Sequence, residues 1–192
     1  MKTDHSECRN QFMARALFSL LFFLALPLAA QQQAPTTVIL VRHAEKAAAP
    51  ADDPPLTEAG QARAQALMAI ARDAGVTAIV TTQFARTRET ARPAAEALKI
   101  TPDVVRAGGA QHAQEVARVV MAHAGGVVLV VGHSNTVPAI IAALGASQPP
   151  PICDSSYDDF YMVSVPASGP ARVIHARYGE ASPVVAGCGA MR

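Results

Sequence analysis

Three short apolar runs, residues 37–41, 77–81 and 127–131, each pass almost at once into a polar segment that carries a cationic or titratable side chain. Val41 leads into Arg42-His43, Thr81 into Thr82-Gln83-Phe84-Ala85-Arg86, and Val131 into Gly132-His133. Runs of this length, rich in Val, Ile and Thr, are expected to be strands. The third, Val-Val-Leu-Val-Val, is apolar at every position, which suits a strand buried on both faces of a parallel sheet.

Between these runs the spacing turns helical. Thr57 is placed to cap a helix over 58–73, in which Leu56, Ala59, Leu67 and Ile70 share a face and Ala74-Gly75 makes the stop. Residues 84–98 are good helix formers, although Pro93 is expected to kink the segment or restart it. A weak strand is expected at 103–105 and a helix over 111–124, ended by Gly125-Gly126. Thr136 is expected to cap a helix running to Leu144, with Pro138 in its first turn. Beyond Pro149-Pro150-Pro151, residues 160–165 and 172–178 alternate enough to form a hairpin of two edge strands. Alternation of strand and helix through most of the chain predicts an α/β fold, a largely parallel sheet covered by helices on both faces.

Composition narrows the function. The chain has 192 residues and a net charge of +1. Setting aside the first thirty residues, with Lys2, Arg9, Arg15, Asp4 and Glu7, leaves 13 of the 16 cations against 13 of the 15 anions. Without bulk positive charge or a basic run, no nucleic-acid surface is expected, although a local Arg cluster can still bind a small anion. Residues 16–30 form an apolar run that ends in small residues before Gln31-Gln32-Gln33, the pattern of an export leader cleaved near Ala30. The long polar stretch ahead of Met13 makes Met13 an alternative start. The run is shorter than the ~20 apolar residues of a membrane span. The reading is therefore a leader over 1–30 and one domain over 31–192, exported to a periplasmic or secreted location, with no stable membrane insertion. Of three cysteines, Cys8 leaves with the leader, and Cys153 and Cys188 remain as a pair expected to form a disulfide.

In an open α/β sheet, ligands bind at the carboxyl ends of the strands. Two imidazoles, His43 and His133, and two guanidiniums, Arg42 and Arg86, should therefore meet around one pocket from positions far apart in sequence. Two guanidiniums can fork onto phosphoryl oxygens and offset the charge that spreads over them in a transition state. An imidazole facing phosphorus can attack it, and nearby Arg charge keeps that ring neutral and nucleophilic. This chemistry calls for no metal or other cofactor, and its partner is a small phosphorylated substrate.

At these residues the chain resembles a known family. Val41-Arg42-His43-Ala44-Glu45-Lys46 is similar to the Arg-His-Gly opening motif of the histidine phosphatase, or phosphoglycerate mutase-like, superfamily, with Ala in place of Gly. The segment from Thr81 to Ala91 resembles its second motif, and Val131-Gly132-His133-Ser134-Asn135-Thr136 the segment that carries its second catalytic histidine. Leu56-Thr57-Glu58-Ala59-Gly60-Gln61-Ala62-Arg63-Ala64 looks like the helix start common between the first two motifs. The resemblance implies a three-layer α/β/α sandwich and a phosphatase in which His43 forms a phosphohistidine while Arg42, Arg86 and His133 hold the phosphoryl oxygens. Asn135 is added as a substrate-binding position. It stands where the family often has an Asp that protonates the leaving group. Glu115 is then the first candidate for that proton, Glu45 the second and Asp158 the third. Without any such acid, acyl phosphates, phosphohistidine or anhydrides would be favoured. Residues 148–161 are expected to form part of the pocket rim.

Two rivals belong to other classes. Gly132-His133-Ser134-Asn135-Thr136 imitates a nucleophile elbow, and Ser134, Asp158 and His175 follow a serine hydrolase's chain order, but Thr replaces the last Gly and the arginines are left without a task. A phosphate-binding module without turnover is the other. His112, His123 and His175 are expected to be surface or locally bonded residues, and Arg88 and Arg92 to lie on other helix faces, solvated.

Overall fold

The computed structural model describes residues 34–183. The expected leader, the alternative start at Met13, Cys8 and Cys188 lie outside the described residues.

Six strands, β1 (Thr36–Arg42), β2 (Ala78–Thr81), β3 (Asp103–Val104), β4 (Val127–Gly132), β5 (Asp159–Val165) and β6 (Arg172–Arg177), form one sheet in the order β3-β2-β4-β1-β5-β6. The pairs from β3 to β1 are parallel, whereas β5 is antiparallel to β1 and β6 to β5. Because β2, β4 and β1 are adjacent and parallel, their carboxyl ends open side by side. Arg42 stands opposite Gly132 in the register, and Val80 opposite Val130. The expected hairpin of β5 and β6 forms, but β5 is an interior strand instead of an edge. The cause is in its composition: Phe160 faces one apolar layer while Tyr161 and Val163 face the other, so both its faces need cover.

The period of two along each strand sorts the core into two layers. Ile39 and Val41 of β1, Ile79 of β2, and Leu129 and Val131 of β4 pack with Leu67 and Ala71 of α1 (Glu58–Asp73) and with Ala91, Ala94 and Ala95 of α2 (Ala85–Leu98). Val38, Leu40, Ala78, Val80, Val128 and Val130 point the other way, onto Val116 and Val120 of α3 (His112–Met121) and Ile140 and Ile141 of α4 (Val137–Ala143). The result is the three-layer sandwich the alternation implied. Each fully buried Val, Leu or Ile in these layers contributes about 1.5–3 kcal/mol relative to its exposed state.

A local signal sets the start of α1. The Thr57 hydroxyl accepts from the Gly60 N–H at 3.1 Å, so α1 starts where a threonine cap places it. Pro93 neither breaks nor restarts α2, which is continuous to Leu98. The proline removes one backbone bond, but the buried Ala91, Ala94 and Ala95 on either side hold the turn against the sheet. Thr136 precedes α4 as expected, yet its hydroxyl does not cap that helix; it accepts from the His133 N–H at 3.0 Å and so fixes the turn that carries the histidine. Gly132 permits this: a Cβ there would lie 3.1 Å from both the Thr136 hydroxyl oxygen and Val137 Cγ2.

Candidate active site

Arg42, His43, Arg86 and His133 line one cleft of about 390 Å³ at the carboxyl ends of the strands, together with Lys46, Phe84, Ser134, Asn135 and Asp154. The His43 and His133 rings meet edge to face at 5.4 Å between centroids. The convergence follows from the register, because the His43 N–H continues the β1–β4 ladder by donating to the Gly132 carbonyl at 2.9 Å.

His43 is held in a defined tautomer. Its Nδ1 lies 2.8 Å from the Ala44 carbonyl oxygen, which can only accept, so Nδ1 carries the proton and Nε2 keeps its lone pair. Ala44, where the family motif has Gly, is fully buried, and its N–H donates to the Thr90 hydroxyl at 2.9 Å. Burial, helped by the charges of Arg42, His133 and Arg86, pushes the His43 imidazole down to about 3. His133 is likewise lowered to about 4, by burial first and then by Arg86, His112 and Arg42. Its Nε2 is bonded to the Thr82 hydroxyl at 3.1 Å, which leaves Nδ1 for a ligand.

Arg42 is gripped from behind. Its Nη1 donates to the carbonyl oxygens of Cys153, Asp154 and Ser156 at 2.7, 2.8 and 3.0 Å, and its guanidinium lies over the Tyr157 ring at 4.3 Å. Burial lowers its pKa, yet a guanidinium stays protonated. Arg42 Nε is buried without a protein partner, and so is Arg86 Nε. Buried donors of this kind are costly unless something accepts from them. Two guanidiniums lining one cleft can together hold an oxyanion. Arg86 packs over the Phe84 ring at 4.2 Å and lies 3.8 Å from Asp53 Oδ1, which also accepts from the Ala85 N–H at 2.8 Å and so caps α2 from a distant loop.

The expected proton donors are not in this cleft. Glu115 is an exposed residue on α3, paired with Arg118 at 2.6 Å, the usual outcome for a helix carboxylate three residues from an arginine. Glu45 turns away from His43 to take a bidentate bond from the buried Arg63, with contacts at 2.7 and 3.0 Å. Asp158 is buried behind the site and bonded to Arg177 at 2.7 Å and to the Ser182 N–H at 3.2 Å. Asn135 does line the cleft, as expected.

The serine hydrolase constellation is not assembled. Ser134 Oγ donates to Asp154 Oδ1 at 3.2 Å, while His175 is bonded to Asp159 at 2.8 Å and stacked on Tyr161. His123 is locally bonded, to Asp103. His112 is locally bonded as well, its Nδ1 tied to the Arg106 carbonyl at 3.0 Å, and it is buried. Sequence reasoning missed Asp154, Tyr157, Asp53 and Thr82 as parts of the site. The first two belong to the 148–161 segment expected at the rim, but nothing in their spacing singled them out.

Comparison with known proteins agrees with this geometry. Residues 38–108 match the model of the histidine phosphatase superfamily (branch 1), which takes in Arg42, His43 and Arg86. Among curated proteins, no sequence matches the chain. A solved structure from Nakamurella multipartitia, named as a candidate SixA phosphohistidine phosphatase, is 25% identical with a TM-score of 0.56, covering 77% of this chain and 98% of that one. The protein histidine phosphatase SixA complexed with tungstate is 18% identical, with a TM-score of 0.57 over 73% of this chain and 96% of that one. A mycobacterial glucosyl-3-phosphoglycerate phosphatase is 15% identical, with a TM-score of 0.55 over 75% and 98%. The latter two identities speak to the fold alone, while the family match, over residues 38–108, falls on the segment that supplies His43 and both guanidiniums: over that stretch the chain is similar to the histidine phosphatase superfamily.

Proposed function

We propose that this protein is a phosphatase that hydrolyses phosphate monoesters or related phosphoryl compounds through a phosphohistidine on His43. The observation that carries the reading is the pairing of a neutral imidazole, its Nε2 lone pair free, with two guanidiniums, Arg42 and Arg86, and a second imidazole, His133, on one cleft. A phosphoryl group seated there would accept from the Arg42 and Arg86 guanidiniums and from His133 Nδ1. His43 Nε2 then attacks phosphorus, the N–P bond forms as the bond to the leaving oxygen breaks, and the guanidiniums offset the charge on the equatorial oxygens. Water next attacks the phosphohistidine and releases phosphate. Burial of both imidazoles serves this sequence, since a protonated His43 has no lone pair to offer.

A panel of phosphorylated compounds, including aryl phosphates, acyl phosphates and phosphohistidine, tested on purified residues 31–192 in the presence of a chelator, examines the proposal. The expected result is phosphate release that His43→Ala abolishes. Full activity in that variant would falsify the assigned nucleophile. A phosphate-binding module without turnover predicts stoichiometric anion binding and no release from any compound.

Export and a Cys153–Cys188 disulfide are part of the same proposal and rest on the sequence: an apolar leader over residues 1–30, a mature domain over 31–192, and two cysteines left after Cys8 is removed. Mass spectrometry of exported, unreduced protein tests both, with two alkylatable thiols as the result that sinks the disulfide.

A further inference from the structure

The geometry points to Asp154 as the group that protonates the leaving oxygen, an assignment that rests on the phosphatase reading above. Among the described residues that line the cleft, Asp154 is the one that bears a carboxylate, set against the cations Arg42, Lys46 and Arg86. The three carboxylates suggested by the sequence are committed elsewhere, to Arg118, Arg63 and Arg177.

The direction of attack agrees with this placement. In an in-line displacement the leaving oxygen lies on the side of phosphorus away from the nucleophile. His43 lines the cleft and is only 3% exposed, so the leaving oxygen of a group it attacks points towards solvent. The Asp154 side chain lines the same cleft and is 95% exposed. Its main chain is fixed by the same guanidinium that serves the phosphoryl group, because the Asp154 carbonyl accepts from Arg42 Nη1 at 2.8 Å. Only the side chain is left to move: Oδ1 accepts from Ser134 Oγ at 3.2 Å and lies 3.7 Å from Arg42 Nη2. An anchored backbone with an exposed carboxyl suits a group that must follow a departing oxygen and then meet an incoming water.

The charges work in the same sense. In the empty cleft Arg42 is the cation nearest the carboxylate. A phosphoryl group that binds Arg42 and Arg86 takes over that cation and leaves the Asp154 carboxyl group to meet the leaving oxygen. In the first step the N–P bond forms, the bond from phosphorus to the leaving oxygen breaks, and that oxygen takes the Asp154 proton. In the second, water attacks phosphorus, its proton returns to the Asp154 carboxylate, and the N–P bond breaks to release phosphate and restore His43. The sum is ester plus water giving alcohol plus phosphate.

A proton donor matters in proportion to the basicity of the leaving oxygen. The test is kcat/KM for p-nitrophenyl phosphate, phenyl phosphate and butyl phosphate with the wild type, Asp154→Asn and Asp154→Ala. Both variants are expected to lose about 100-fold or more on butyl phosphate, and at least tenfold less than that on p-nitrophenyl phosphate. Their inhibition constants for inorganic phosphate should stay within about threefold of the wild type or tighten, because one negative charge has left the cleft. Equal losses on all three esters, no loss on any, or phosphate binding weakened more than tenfold overturns the assignment, the last by showing that Asp154 acts only by holding Arg42. A wild type that releases no phosphate from any of the three, with His43 never phosphorylated, defeats the phosphatase reading itself.

Discussion

The state of the His43 imidazole is set by burial before any neighbour adds to it. Desolvation is the largest cause of the low His43 value of about 3, with Arg42, His133 and Arg86 acting in the same direction. The acid limb of kcat/KM should therefore fall well below the ordinary imidazole value of about 6.5. With p-nitrophenyl phosphate, and after correction for the ester's own ionisation, activity should hold down to about pH 5. A limb centred near 6.5 would show that the free enzyme's imidazoles are solvated. Arg86→Ala tests the oxyanion site at the same scale. It removes one of two guanidiniums that face the cleft, and by analogy with the loss of a single oxyanion donor it should lower kcat/KM by about 10²–10³-fold. Arg86→Lys should recover little of this, because an ammonium cannot reproduce the fork. These four residues were legible in the sequence because each directly follows a strand or its first turn, where the parallel topology dictates convergence. Asp154 was not, because it enters from a loop whose course is set by three carbonyls bonding to Arg42, a contact spanning more than a hundred residues.

At the level of elements, the loop after β1 is locked to α1 twice. Glu45 offers its carbonyl to the Thr57 N–H at 2.9 Å and its carboxylate to Arg63, whose Nη1 and Nη2 also donate to the Tyr178 and Glu180 carbonyls at 2.8 Å each. Gly60, in the first turn of α1, sits so close to this loop that a Cβ would run into the Glu45 carbonyl oxygen, a backbone atom with little freedom to give way. Gly60→Ala should therefore destabilise the protein by about 1–3 kcal/mol in a denaturant titration and lower activity as well, since Glu45 is two residues from His43. Arg63→Met should cost about 3–5 kcal/mol, because it leaves the Glu45 carboxylate and two carbonyls without their donor. Unchanged denaturation midpoints would mean that the loop is held by the strand alone. The sequence disclosed α1 through its cap and spacing, and disclosed Arg63 only as part of a family-like helix start. That a buried arginine joins the β1 loop to the segment after β6 depends on tertiary packing, which carries no local signature. The same limit explains β5: propensity marked it as an edge, and its place between β1 and β6 decided otherwise.

For the molecule as a whole, the burial that makes the site reactive is also a liability in acid. The folded protein holds His43 near 3 and His133 near 4, whereas an unfolded chain holds both near the ordinary 6.5. Between those values the unfolded state binds protons that the folded state refuses, so stability rises with pH across the window and is lost as pH falls from about 6.5 towards 4. Each imidazole adds up to about 1.4 kcal/mol of loss per pH unit there. Asp158, held low by Arg177 and Ser182 against its burial, pulls in the same direction only at more acidic pH, below the ordinary carboxylate range. Denaturant titrations at pH 7 and 5 should therefore show a drop of a few kcal/mol in the wild type and a much smaller one in a His43→Gln, His133→Gln double variant. Inorganic phosphate should shrink the drop, because an anion bound between the two guanidiniums offsets the charges that keep the imidazoles neutral, and it should thus stabilise the wild type more at pH 5 than at pH 7. If wild type and double variant lose stability in parallel, the acid sensitivity arises elsewhere in the fold and the two imidazoles are not held neutral by burial.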